Sequence, residues 1–177
     1  MEIKAKGKLD LELCKALMHL VMFKKADPKK RMRVWTVVYA VLLAVVIAEL
    51  IAFGVDAFLL AMLGVLVIIY LFACYSYFLL PRIKYKGLAR MRDVENEYVF
   101  CDAELRVLTR GEEYSGESVL KYSVFVKAYE TSRYFFLFQQ QNQVLAVDKS
   151  TIENGTQKDI RDKLTSSIAG KYIVCKY

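Results

Sequence analysis

From Val34 to Leu80 the chain runs through an apolar block in which Glu49 and Asp56 are the only formal charges. The first part, VWTVVYAVLLAVVIAELIAF (Val34 to Phe53), is twenty residues long. At about 1.5 Å per residue a helix of that length spans roughly 30 Å, the hydrocarbon thickness of a bilayer. The second part, AFLLAMLGVLVIIYLFACYSYFLL (Ala57 to Leu80), has the same character. Gly54, Val55 and Asp56 alone separate them, which allows a tight turn between antiparallel neighbours. A helix satisfies its own backbone hydrogen bonds, so these segments are expected to cross a membrane. The block starts after 33 residues and is too long for the apolar region of a cleaved leader, so it reads as a true span.

Apolar residues make up 56% of the chain, and the excess lies in this block. The net charge of +7 is equally uneven. Residues 1–33 carry +6 and residues 82–92 carry +5, whereas residues 34–81 and 93–177 carry −2 each. The basic character flanks the apolar block, which argues for anionic lipid headgroups as partners and against nucleic acid. Lys24, Lys25, Lys29, Lys30, Arg31 and Arg33 precede the first span, and Arg82, Lys84, Lys86, Arg90 and Arg92 follow the second. These residues form the expected basic collar at the membrane surface. The turn has no base, so the positive-inside rule puts it outside and both termini in the cytoplasm of a multi-pass protein of the cell membrane. Trp35, Tyr39, Tyr75 and Tyr77 fit an interfacial aromatic belt, and Pro81 marks the end of the second helix or a change in its course.

Glu49 is the ionisable side chain inside a span and therefore the candidate intramembrane polar site. It lies four residues from the outer end of its span, where snorkelling or a helix–helix hydrogen bond is the first reading and a proton or cation role the second. Ala44, Ala48, Ala52, Ala61 and Gly64 suggest a close approach of the two helices.

Ahead of the block, Glu2 to Lys8 alternates like a short strand. Asp10 then resembles an N-cap, and Leu13, Ala16, Leu17, Leu20 and Val21 follow helical spacing. The broad apolar stripe of this helix requires a cover, either the soluble domain or the membrane interface. His19, the single histidine, has no clustered ligand in sequence and reads as a surface residue. Asp27-Pro28 is expected to end the segment. Cys14, Cys74, Cys101 and Cys175 are too far apart for a metal or redox motif and read as reduced thiols.

Beyond Arg92 the pattern changes to short aromatic and β-branched runs. Strands are expected near Glu97–Cys101, Glu104–Thr109, Ser118–Tyr122, Val124–Tyr129, Tyr134–Gln139 and Val144–Asp148. A helix is expected from Thr156, with Thr156 and Asp159 as a capping box and Ile160 and Leu164 as its apolar edge. Asn154-Gly155-Thr156 matches a glycosylation sequon but reads as turn plus cap. Lys171 to Tyr177 reads as a final extended piece or a tail. The chain thus divides into 1–33, a cytoplasmic strand and amphipathic helix; 34–80, the transmembrane hairpin; and 81–177, a cytoplasmic β domain with a C-terminal helix.

The run SVLKYSVFVKAYETSRYFFLFQQQNQVLAVDKSTIENG, followed by a helix, resembles the YcxB-like family. The order of elements carries the resemblance from about Leu9 to Leu164, with Lys127-Ala128-Tyr129-Glu130 and Tyr134–Phe138 as strand-forming matches. The resemblance implies a two-helix hairpin before the domain and a pleckstrin-homology-like antiparallel barrel closed by a C-terminal helix. Asp148-Lys149 stands where that family often carries a proline and a basic residue, and Ile152 replaces a common phenylalanine. The family brings no established catalytic residues.

No nucleotide-binding loop, zinc-protease motif or nucleophile elbow is present in the sequence, and Glu112-Glu113 with Glu117 reads as a solvated turn. The expectation is a non-enzymatic, cofactor-free binding, scaffold or regulatory module. Its partners would be membrane lipids and a protein or a second copy of the chain. The alternative is a subunit of an oligomeric transporter or channel that uses Glu49.

Overall fold

The structure is a computed structural model that describes residues 2–23, 27–89, 92–112, 115–140, 143–168 and 171–175. Lys24, Lys25 and Arg90 of the expected collar, Glu113 of the acidic grouping and Gln141-Asn142 lie outside the described residues.

The expected N-terminal strand forms as β1 (Ile3–Lys8), and its alternation buries Ile3, Ala5 and Gly7 on one face. It pairs antiparallel with β2 (Glu95–Phe100), beyond the helical hairpin in sequence. With β3 (Glu104–Arg110) and β4 (Ser115–Lys121) it makes a four-stranded sheet in the order β1-β2-β3-β4. A 3₁₀ turn at Tyr122–Val124 leads to the second sheet, so the strand expected from Val124 starts at Lys127. That sheet has the order β7-β6-β5-β8, with β5 (Lys127–Glu130), β6 (Tyr134–Gln140) and β7 (Gln143–Asp148) antiparallel. β8 (Tyr172–Val174) joins β5 in parallel, so the final extended piece is in part a strand.

The two sheets close at a corner where β1 passes β7. A Cβ on Gly7 would stand 2.1 Å from the Ala146 carbonyl oxygen, so a side chain there is sterically excluded. On its far side β1 bridges to Glu153 through Lys4 N–H to Glu153 O (3.0 Å) and Glu153 N–H to Lys4 O (2.7 Å). Helix α5 (Gln157–Ser167) opens with the expected capping box of Thr156 and Asp159. Its Ile160 and Leu164 complete a core with Ile3, Phe100, Leu105 and Phe135. Full burial of such side chains stabilises by about 1.5–3 kcal/mol each.

Helix α1 (Leu11–Phe23) has its Leu13 N–H held by the Asp10 carboxylate, which is the cap expected from sequence. Leu13 and Leu20 pack on Tyr134 and Phe136 of β6, with Leu9, Leu17 and Ile173 around them. The cover for its apolar stripe is therefore the outer face of the second sheet. Its other edge meets the hairpin through His19 and Phe23.

Among the described residues two helices are long and apolar enough to cross a membrane. Helix α2 (Pro28–Phe53) starts six residues ahead of Val34, because Asp27 accepts hydrogen bonds from Lys29 N–H (2.8 Å) and Lys30 N–H (3.3 Å) and Pro28 supplies the first-turn φ. Asp27-Pro28 therefore opens α2. The second helix is continuous from Ala57 to Gly87. It comprises α3 (Ala57–Cys74), a π-helical turn (Tyr75–Leu79) and α4 (Leu80–Gly87). Pro81 lies inside it, two residues after the π turn, and does not end it. The two helices meet along Tyr39, Leu43, Val46 and Leu50 on one side and Leu59, Leu63, Leu66 and Tyr70 on the other, all at least half-buried. This alternating spacing of three and four is the spacing of a coiled-coil seam. Tyr39 and Tyr70 stack within it, 4.3 Å between ring centroids. The small residues are not at this seam: Ala44, Ala48, Ala52, Ala61 and Gly64 are exposed. A Cβ on Gly64 would meet nothing within 4 Å.

Candidate functional site

Pro81 has no N–H, so the carbonyl four residues earlier, that of Tyr77, loses its intrahelical donor. The helix widens into the π turn at this point. His19 Nε2 lies 3.4 Å from the Tyr77 oxygen and, since a carbonyl only accepts, acts as the donor. The imidazole stacks on the Tyr77 ring at 4.5 Å, and Phe23 meets both rings edge-on. Burial lowers the His19 pKa, the Tyr77 carbonyl opposes the shift, and Lys15 adds to it. His19 is thus half-buried at a helix junction and not a surface residue.

A polar pocket of about 460 Å³ opens beside this junction, between α1, the start of α2 and the turn from β5 to β6. Arg133 on that turn donates to Glu12 of α1 (3.0 Å) and, through two nitrogens, to Asp148 of β7 (3.2 Å each). Thr131 closes the turn by accepting from Tyr134 N–H (3.0 Å) through its hydroxyl. Both carboxylates lining the pocket, Glu12 and Asp27, are engaged by these contacts and by the α2 cap. Lys15 and Lys29 also line it and have no ion-pair partner among the described residues. Tyr134, 4% exposed, lines it too, and its buried hydroxyl has no hydrogen-bond partner among the described residues. Burial pushes the Tyr134 phenol up to about 12, helped by Asp10 and opposed by Arg133.

An apolar groove of about 430 Å³ lies on the hairpin next to this pocket. Phe23 of α1, Trp35 and Tyr39 of α2, and Tyr70 and Ala73 of α3 line it, and Tyr77 borders both spaces.

Of the expected collar, Lys29, Lys30, Arg31 and Arg33 occupy the first turns of α2, and Arg82, Lys84 and Lys86 lie on α4, all exposed. Arg31 lies over the Phe23 ring at 5.8 Å. Arg92 instead folds back on the end of α4: it donates to Tyr85 O (3.3 Å) and stacks on the Tyr85 ring at 4.4 Å. Glu49 is exposed on α2 and makes no hydrogen bond to α3 among the described residues, so the helix–helix bond is absent there.

Sequence reasoning did not single out the buried ion cluster around Glu130. This residue, 2% exposed on β5, receives Arg161 of α5 through two bonds, 2.8 Å to Oε2 and 2.6 Å to Oε1. Lys149 Nζ donates to Oε1 at 2.7 Å and to Thr131 O at 2.6 Å, and the Tyr172 hydroxyl of β8 donates to Oε2. Burial opposes ionisation of Glu130, but the bonds from Arg161, Lys149 and Tyr172 outweigh it and pull its pKa down to about 2. Its lone pairs are all engaged, so the carboxylate is a clamp between β5, β8 and α5 and not a free base or ligand. Glu130 and Lys149 lie in strand-like sequence contexts, and only their juxtaposition with Arg161 reveals the cluster. Among the described residues no group of three or more His, Cys, Asp or Glu could hold a metal ion.

The class defined by these features is a two-sheet α+β domain, closed by a C-terminal helix and joined through α1 to a pair of long apolar helices. The family model described as YcxB-like protein matches residues 110–164, so this segment of the chain is similar to that family. The segment runs from the end of β3 to Leu164 of α5 and includes Glu130, Lys149 and Arg161. No curated protein matches the chain, and no solved structure matches it.

Proposed function

We propose that the protein is a membrane-anchored, non-enzymatic binding or regulatory module that holds a pleckstrin-homology-like domain against the cytoplasmic face of the cell membrane. The observation that carries this reading is α1, which packs on β6 by one edge and on the hairpin at Tyr77 by the other. The β domain is thereby fixed at the end of the hairpin where the basic residues cluster. Support for immersion in lipid comes from the hairpin surface: Ile51, Phe53 and Phe58 are 81%, 86% and 69% exposed. A contiguous apolar surface of this extent is not left to water in a soluble protein. The basic ends of α2 and α4 and the base-free turn at 54–56 favour both termini inside.

The test is cysteine labelling in a chain whose four native cysteines are replaced. With intact cells and an impermeant maleimide, Val55→Cys is expected to label and Lys127→Cys is not, while both proteins resist alkaline extraction from the membrane. Labelling of Lys127→Cys, or release on extraction, rejects the topology. Crosslinking from Lys127 then identifies what the domain binds.

A further inference from the structure

The polar pocket and the apolar groove are adjacent and share Tyr77, and their contents are complementary to the two ends of one molecule. We propose that the protein binds one phospholipid with an anionic headgroup across this junction, with the headgroup in the polar pocket and an acyl chain in the groove. The inference rests on the reading above that the hairpin crosses a bilayer. Two observations select this occupant. Lys15 and Lys29 face the pocket without ion-pair partners among the described residues, whereas Glu12 and Asp27 are engaged by protein donors. The groove, in contrast, is walled by Trp35, Tyr39, Tyr70 and Ala73, which offer an acyl chain an aromatic and apolar bed. Moving a chain from bulk lipid to such a groove changes little in solvation, because lipid tails are as apolar as the side chains. Selection therefore falls to the lysines, and the groove fixes where the lipid lies.

The experiment uses the full chain in nanodiscs with photoactivatable phosphatidylglycerol or phosphatidylcholine, each bearing the reactive group on an acyl chain. Phosphatidylglycerol is expected to label the peptides containing Phe23 and Tyr77 in preference to phosphatidylcholine. Lys15→Gln with Lys29→Gln is expected to reduce that preference by roughly fivefold per lysine. Lys15→Arg with Lys29→Arg, which keeps both charges, is expected to retain it and stands in if the glutamine variant misfolds. Ala73→Trp, which fills the groove, is expected to abolish labelling at Tyr77. Equal labelling by both lipids, insensitivity to the lysines, or a crosslink between two copies in the groove overturns the proposal. So does competition by inorganic phosphate, which would assign the pocket to a free anion. If the chain resists alkaline extraction while labelling is unselective, the lipid site alone fails; if it is extracted, the membrane reading fails first.

Discussion

At the scale of single residues, the strongest constraint is Glu130. Its carboxylate joins three donors from three other segments, and one of them, Lys149, is itself 8% exposed. Removing one member of a buried ion group leaves an uncompensated charge, at a cost of about 3–5 kcal/mol. Glu130→Gln is therefore expected to lower stability by that amount, read by denaturant titration of the full chain with near-ultraviolet circular dichroism. The same group sets an acid limit. Its folded pKa of about 2 lies below the ordinary value of 4.5, so the stability it contributes is fully present above 4.5 and is lost as pH falls towards 2. Denaturation midpoints measured over that window should fall in the native chain and lose most of this dependence in Glu130→Gln. The sequence displays Glu130 as one polar residue at the end of a short strand; nothing in its local pattern signals a buried carboxylate.

At the scale of elements, α1 and the second helix with its π turn form a unit. Pro81 removes a donor from Tyr77 O, and His19 approaches that oxygen from another helix. Supplying an otherwise unsatisfied carbonyl with a donor is worth about 1 kcal/mol net. His19→Phe, which keeps an aromatic ring against Tyr77, is expected to cost that amount in the native background and close to nothing with Pro81→Ala. Thermal unfolding of the two single variants and the double variant measures the coupling, and additive effects would remove His19 from this role. The sequence located Pro81 as a perturbation and Asp10 and Thr156 as caps, because these effects act within a turn of helix. It misplaced the close-approach residues. Large aliphatic and aromatic side chains at alternating spacing form the seam, and the alanines turn outward, a choice set by how two surfaces interlock.

At the scale of the molecule, the β domain is not a contiguous stretch. β1 supplies an outer strand of the first sheet, and α1 covers Tyr134 and Phe136 of the second, although both precede the hairpin. A fragment of residues 92–177 lacks both and would expose the β2 edge and the outer face of β6 to water. It is expected to aggregate. Residues 1–23 joined by a flexible linker to 92–177 are expected to give a monodisperse, β-rich domain without the hairpin. Size-exclusion chromatography and circular dichroism of the two proteins make the comparison, and a well-folded 92–177 fragment would show that β1 and α1 are dispensable.

By itself the sequence determined the features that arise from neighbours along the chain. These are the two apolar helices and their turn, the basic flanks, the strands from β2 to β7, and the capped helix α5. Period, length and capping chemistry are local properties, and a single sequence displays them. The tertiary structure decided what depends on distant segments meeting: β1 beside β2, β8 in parallel with β5, α1 between sheet and hairpin, and His19 at the Tyr77 carbonyl. It also decided the enclosure of Glu130 by Lys149, Arg161 and Tyr172 and the joining of Lys15, Lys29 and Tyr134 in one pocket. Each of these contacts gains its energy from burial and charge pairing between residues far apart in sequence, and no local pattern of residue types encodes such a meeting.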